Sequence, residues 1–178
     1  MRTYAYGFPR LGEKRESKKA TEDFWRGSID ESRLVCVLNE IQELNNRKCR
    51  EIIDFSPDCE VSLYDPMLDT AILLGIFNPK TLKDYYELCR GDKALEMTKW
   101  FNTNYHYLVT DFAVVPDAQF HLNVDHFALR FKKGQFPTIT GPFTFLKLSK
   151  GLSPARLKEL FFNIIPVYKL LFAKRQTP

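Results

Sequence analysis

The chain has 178 residues, 44% of them apolar, and a formal net charge of +4, which suits one domain or part of a larger one. Fifteen Phe and eight Tyr argue against disorder, and no apolar run reaches the roughly 18 residues of a membrane span. Met1–Tyr6 lacks the apolar segment of a secretory signal, so we expect a cytoplasmic protein without membrane association.

The residue pattern predicts short strands alternating with helices. In the first half of the chain the predicted elements are a strand at Thr3–Tyr6 that stops at the turn Gly7–Pro9, helices at Glu13–Trp25 and from Asp30 onward, a strand at Ile52–Phe55, and helices at Met67–Ile76 and Thr81–Cys89. Asp30 and Thr81 carry the side-chain oxygens that cap helix N-termini. Helical spacing after Asp30 predicts a buried face made of Leu34, Leu38, Ile41 and Leu44.

In the second half the predicted elements are a strand at Asn104–Val109, a helix at Val124–Lys132, a strand at Phe136–Thr140 that runs into the turn Gly141-Pro142, and a last helix opened by Ser153-Pro154. Apolar residues cover much of the last helix between Leu157 and Leu171, which predicts burial. Pro166 should kink this helix.

This order of elements predicts an α/β fold with parallel strands and right-handed crossovers. About four βα units are present, which is half of an eight-unit, TIM-type (βα)8 barrel. The fold class expected from the sequence is therefore a partial barrel.

Cysteine, histidine and charge give no sign of a metal or nucleic-acid site. No two of the four Cys are spaced C-x-x-C, and His121 and His126 are five residues apart, so neither type has ligand spacing. We expect buried or incidental thiols. Basic ends around an acidic middle fit an anionic ligand, a nucleic acid or a charge-paired surface. Charge alone favours the paired surface, and we expect no nucleic-acid partner.

Four regions of the chain resemble motifs of cobalamin-independent methionine synthase. In family order they are GFPRLG and KRESKKA within residues 7–20, SLYDPMLDT at 62–70, EMTKWFNTNYHY at 96–107 and GPFTFL at 141–146. The block at 96–107 is the most specific, because it matches the family pattern throughout. The likeness extends from Gly7 to Tyr168.

The resemblance implies that residues 1–178 form a single incomplete domain, the first half of the N-terminal of two barrels. The family transfers a methyl group from 5-methyltetrahydropteroyltri-L-glutamate to homocysteine in methionine biosynthesis. Its zinc and homocysteine ligands would lie in a C-terminal zinc barrel that this sequence lacks. We therefore expect no catalytic residue and no bound cofactor or metal in this chain, and whether it acts as an enzyme stays open.

Capture of the anionic polyglutamate tail is the part of this chemistry that the residues can support. Lys14, Arg15 and Lys18 share one helix face near its N-terminus, where anions are favoured, and Arg can grip a carboxylate with two hydrogen bonds. The positions that match the family's R-E-L-K stretch, together with two from the 96–107 block, predict a binding site made of Arg15, Glu16, Ser17, Lys18, Lys99 and Asn104.

Structural alternatives accompany these candidates. Residues 14–19 could be a solvated helix face, and Lys99 and Asn104 could belong to a turn at a strand entry. Other residues favour a structural role outright: core packing for Trp100, Tyr105 and Tyr107, helix caps or dipole partners for Asp65 and Asp69, and a plain turn for Gly141-Pro142.

Departures from the family pattern leave three hypotheses. Ser17 stands where the family has Leu, and the region from Asp111 to Gly134 is shorter than in the family. The chain could be the folate-binding part of an enzyme that needs the remaining sequence, a stand-alone folate-binding module, or a non-catalytic relative with an interaction role. A half-barrel would expose strand edges and the apolar face of Leu157–Leu171, so we expect a homodimer, a second chain or poor solubility.

Overall fold

The computed structural model describes residues 2–4, 11–55, 62–123 and 139–176. Among these, the residues up to Leu63 form one compact unit and those from Tyr64 onward form another. Three predicted features lie outside the described residues in whole or in large part: the turn at Gly7–Pro9, the helix at Val124–Lys132 and the strand at Phe136–Thr140.

Two helices dominate the first unit. Helix α1 spans Glu16–Trp25 and helix α2 spans Glu31–Ile52, and the two pack against each other. Asp30 caps α2 as predicted, because its carboxylate accepts a hydrogen bond from the Arg33 N–H at 2.8 Å. Of the four predicted core positions of α2, Leu34, Leu38 and Ile41 are buried and Leu44 is exposed.

The strand predicted at Ile52–Phe55 is wrong over most of its length. Helix α2 continues into this range, and the Ile53 N–H still donates to the Cys49 carbonyl at 2.9 Å. Extending an existing helix adds one hydrogen bond for each residue fixed, which outweighs the strand preference of β-branched Ile. Only Phe55 pairs in extended fashion, through a single parallel bridge to Tyr4.

Helices α3 (Pro66–Leu73) and α4 (Leu82–Cys89) lie in the second unit where helices were predicted. Asp65 caps α3, since one of its carboxylate oxygens accepts from the Met67 and Leu68 N–H groups, each at 2.9 Å. This confirms the structural reading of Asp65. The apolar side chains of α3 are buried, as expected for a core helix.

A β-hairpin follows α4, and its antiparallel pairing was not predicted, whereas the bridge between Tyr4 and Phe55, which joins the first two predicted strands, is parallel as expected. Strands β1 (Met97–Lys99) and β2 (His106–Leu108) pair antiparallel, with Lys99 opposite His106. The six residues that connect them can close a hairpin, whereas a parallel pairing needs a crossover of a dozen or more residues. In the described part of the chain this hairpin is the one sheet, accompanied by two isolated parallel bridges.

Two more helices complete the second unit. Gly141-Pro142 was expected to be a turn but starts the short helix α5 (Pro142–Lys147), with Pro at the favoured first position. The last helix, α6 (Pro154–Gln176), continues through Pro166. The core joins α3, the hairpin, α5 and α6 through buried residues that include Met67, Ala71, Leu74, Tyr107, Phe145, Leu160 and Ile164.

Burial of α6 is one-sided: this corrects the burial that its apolar pattern predicted, and it agrees with the exposed apolar face expected of a half-barrel. Leu160, Ile164 and Val167 face the core, whereas Phe162, Leu170 and Phe172 are 63%, 56% and 51% exposed. No described element covers this second face.

The α/β class is confirmed, because helices accompany a small sheet. No helix among the described residues has the length and apolarity to cross a membrane.

Candidate functional site

The residues before α1 form a tight turn held by backbone hydrogen bonds. The Arg15 N–H donates to the Gly12 carbonyl at 3.3 Å, and the Ser17 N–H donates to the Leu11 carbonyl at 3.2 Å. Gly12 and Arg15 have φ angles of 77° and 61°. Gly adopts this left-handed region freely, whereas for Arg15 it costs about 1 kcal/mol. Strain of this kind is concentrated at functional sites.

Arg15 and Lys18 are the two predicted binding cations at the start of α1, and both are exposed, as are the neighbouring Lys14 and Lys19. No carboxylate among the described residues lies within ion-pair distance of either side chain. Arg15 occupies the N-cap position and makes no side-chain capping bond. Arg15 and Lys18 therefore place two available positive charges beside the positive end of the helix dipole.

Ser17 and Glu16, the other two predicted residues of this stretch, have contacts within the chain. Ser17 is 8% exposed, and its carbonyl accepts from the Thr21 hydroxyl at 2.9 Å. The Glu16 carboxylate accepts from the Lys14 N–H at 3.0 Å. Neighbouring Glu13 instead pairs with Lys48, and that hydrogen bond lowers the pKa of the Glu13 carboxyl.

Lys99 and Asn104 lie on the hairpin of the second unit. Lys99 is the last residue of β1 and Asn104 lies in the connection to β2, and both side chains are exposed. The Asn104 carbonyl lies 3.1 Å from Nδ1 of His106, and His106 is the residue opposite Lys99. The hairpin thus brings Lys99 next to an imidazole that the sequence analysis did not select.

The aromatic residues of the hairpin divide between core and surface. Tyr107 is buried as expected, and its hydroxyl donates to the Leu148 carbonyl at 3.1 Å. Burial raises the pKa of Tyr107. Trp100 is half-buried and packs edge-on against Tyr107 at 5.6 Å between ring centroids. Tyr105 is 42% exposed and Phe101 71%, so the expectation of core packing is wrong for Tyr105.

Metal-ligand geometry is not found among residues 2–4, 11–55, 62–123 and 139–176, where no group of three or more His, Cys, Asp or Glu could hold an ion. Cys49 and Cys89 are buried and Cys36 is exposed. Burial strongly raises the pKa of the Cys89 thiol, which disfavours the thiolate that binds metal. These residues do not fit the zinc site of the resembled family.

Sequence reasoning missed a groove of about 450 Å³ between α1 and α2. Charged residues such as Glu16 and Lys19 and apolar residues such as Val37 and Ile41 line it. Its volume falls in the usual range of small-ligand sites. The groove arises where two helices pack together, and residue spacing predicts each helix but not their packing. The turn beside the groove did have a signal in the sequence, which is the glycine Gly12 four residues before Glu16.

Comparison with known proteins gives the family. The family model for the N-terminal domain of cobalamin-independent synthase matches residues 2–177. The chain belongs to this family.

Curated relatives support the same assignment. The chain is 42% identical to the 5-methyltetrahydropteroyltriglutamate–homocysteine methyltransferase of Thermotoga petrophila, over 97% of this chain and 25% of that protein. It is 40% identical to the Thermotoga maritima protein of the same name and 36% identical to that of Halalkalibacterium halodurans, which it covers to 26% and 24% of their lengths. The chain thus spans about a quarter of the length of the curated relatives that it matches.

Proposed function

We propose that this chain is the part of a cobalamin-independent methionine synthase that binds the polyglutamate tail of 5-methyltetrahydropteroyltri-L-glutamate. The relatives are named as methyltransferases that act between this folate and homocysteine. The family model matches residues 2–177, which is nearly the whole chain. The binding role assigned to the six candidate residues is our proposal for this chain.

The observation that carries the proposal is the pair of exposed cations Arg15 and Lys18 at the start of α1, neither of which has a carboxylate partner among the described residues. Each glutamate of the tail adds a carboxylate, and a carboxylate is stabilised by Arg and Lys side chains and by the N-terminus of a helix. The backbone of Arg15 is left-handed, a strained conformation of the kind that is concentrated at functional sites. Lys99 and Asn104 of the second unit are proposed as further folate-binding residues on the family likeness alone.

Methyl transfer itself is proposed to need sequence outside this chain. The residues described here do not offer a zinc site, and the matched region is about a quarter of each relative. We further propose that the chain contributes the first half of a (βα)8 barrel and that the exposed face of α6 around Phe162 and Leu170 packs against the remaining family sequence.

Light scattering tests the second part of this proposal. An apolar face of this kind promotes association, so the isolated chain should form dimers or larger species at micromolar concentration. Phe162→Ser combined with Leu170→Ser should shift it toward the monomer, and Val114→Ser, another exposed apolar position at 77%, is the matched control. A clean monomer of the unsubstituted chain would contradict the proposal.

Calorimetric titration tests the proposed function. The chain is titrated with 5-methyltetrahydrofolate that carries three glutamates or one, at low and at moderate salt. Tighter binding of the triglutamate, weakened by salt because the contacts are ionic, is the expected result. Equal affinity for both ligands would refute a tail site. Binding without transfer activity after the remaining family sequence is added would favour a stand-alone binding module.

A further inference from the structure

We infer that Glu16 contributes to folate binding by holding the turn Gly12–Arg15 in place, and that it does not contact the bound anion. The inference rests on the proposed function, because it assigns a positioning role within that same site. Glu16 lies between the two cations in sequence, yet its carboxylate points back to the turn, where it accepts from the Lys14 N–H at 3.0 Å.

Gly12 makes room for this contact. A Cβ atom added at Gly12 would lie 2.2 Å from Oε2 of Glu16 and 3.0 Å from its carboxyl carbon, far inside van der Waals contact. The carboxylate therefore lies directly over the glycine, and a side chain at position 12 would displace it. Gly12 also has a φ of 77°, which by itself favours glycine at this position.

Electrostatics argues against a direct contact between Glu16 and the tail. Two carboxylates in contact repel each other, whereas one carboxylate in the first turn of a helix is stabilised by the helix dipole and by backbone N–H groups. Glu16 has such a partner in the Lys14 N–H. By fixing the residue before Arg15, this bond helps to hold Arg15 in the left-handed conformation from which its side chain is presented.

A double-mutant cycle with the triglutamate ligand tests the inference. Glu16→Ala and Gly12→Ala should each weaken binding about fivefold, the effect of one lost hydrogen bond. The double variant should bind the ligand at most about twofold more weakly than the single variant with the lower affinity. Both changes disrupt the same hydrogen bond, so their effects should not add. Glu16→Gln keeps an acceptor oxygen and should bind as well as the unsubstituted chain. Additive losses, or a loss in Glu16→Gln equal to that in Glu16→Ala, would overturn the inference.

An NMR titration keeps the test decisive if Gly12→Ala does not fold. The amide proton of Lys14 should shift as Glu16 is protonated, and this response should disappear in Glu16→Gln. It should persist in the matched control Glu13→Gln, because the Glu13 carboxylate pairs with Lys48. A Lys14 response that follows Glu13 would refute the contact. If the unsubstituted chain binds neither folate, the proposed function fails, while the Lys14 response still decides whether Glu16 holds the turn.

Discussion

The starts of helices α1 and α4 differ in how side chains cap the free backbone N–H groups of the first turn. At α4 the Thr81 hydroxyl accepts from the Asp84 N–H at 3.1 Å, and the Asp84 carboxylate accepts from the Thr81 N–H at 3.0 Å, so side chains satisfy both groups reciprocally. At α1 the N-cap is Arg15, which makes no capping bond and has a left-handed backbone.

The difference separates a helix start that serves the fold from one that is suited to a ligand. A residue with a capping oxygen at position 15 would stabilise α1 by about 1 kcal/mol, yet this position holds a strained cation. Lys18 adds a second charge in the same turn. The first helix thus gives up local stability where the proposed anion site needs charge.

The largest expected effect concerns the charges at α1. Replacing both cations, Arg15→Gln with Lys18→Gln, should weaken binding of the triglutamate about 50-fold at low salt, since each charge-assisted contact contributes about 1 kcal/mol or more. Calorimetry measures the change. The matched control is Lys83→Gln, an exposed lysine in the first turn of α4, which should not change the affinity. Equal losses at both helices would mean that net charge, and not the start of α1, attracts the ligand.

Thr81→Ala should have the next largest effect, on stability. Loss of an N-cap hydroxyl costs about 1 kcal/mol, and here it also removes one half of a reciprocal pair of hydrogen bonds. Denaturant unfolding followed by circular dichroism measures the free energy of unfolding. Thr81→Ser keeps the hydroxyl and should restore most of the loss. If the free energy of unfolding is the same in Thr81→Ala as in the unsubstituted chain, the start of α4 is no better capped than that of α1.

Local signals predicted the helices well. The caps at Asp30, Asp65 and Thr81 depend on one side chain and the N–H groups two or three residues later, so residue order is sufficient to find them. Pairing of strands depends on distant partners, and the sequence therefore predicted neither strand β1 nor its antiparallel pairing with β2. The side chains that α6 leaves exposed, Phe162 and Leu170 among them, could not be picked out by residue spacing, because burial depends on which elements pack against a helix.

Prediction of the site had a similar limit. Residue types and the family likeness were sufficient to select Arg15, Lys18 and Lys99 as candidate cations. Residue spacing does not encode dihedral angles or the direction in which a side chain folds back. It therefore could not predict the left-handed backbone of Arg15 or the position of the Glu16 carboxylate over Gly12. Only the glycine itself signalled that something approaches the backbone closely at that position.

A smaller effect is expected when the strain at α1 is removed. Arg15→Gly should stabilise the fold by about 0.5 kcal/mol, because glycine avoids the left-handed penalty but loses more conformational entropy on folding. The same change should weaken binding of the triglutamate by removing a cation. Thermal unfolding and calorimetry together measure the two effects. Arg26→Gly, where the backbone is right-handed, is the control and should not stabilise. A loss of stability in Arg15→Gly would show that the left-handed conformation is not strained.

The smallest expected effect is a dependence on pH at α4. The hydrogen bond from Thr81, followed by that from the Lys80 N–H, lowers the pKa of Asp84 in the folded chain. The contribution of Asp84 to stability is therefore complete above its unfolded value of about 3.9 and is lost as the pH falls through the lower folded value. Asp84→Asn should reduce the slope of unfolding free energy against pH in this acid window. The slope from Asp54, whose pKa is lowered by hydrogen bonds from Thr3, should remain in the variant. An unchanged total slope would mean that the capping box does not hold Asp84 in solution, and the contrast between the two helix starts would then depend on Arg15 alone.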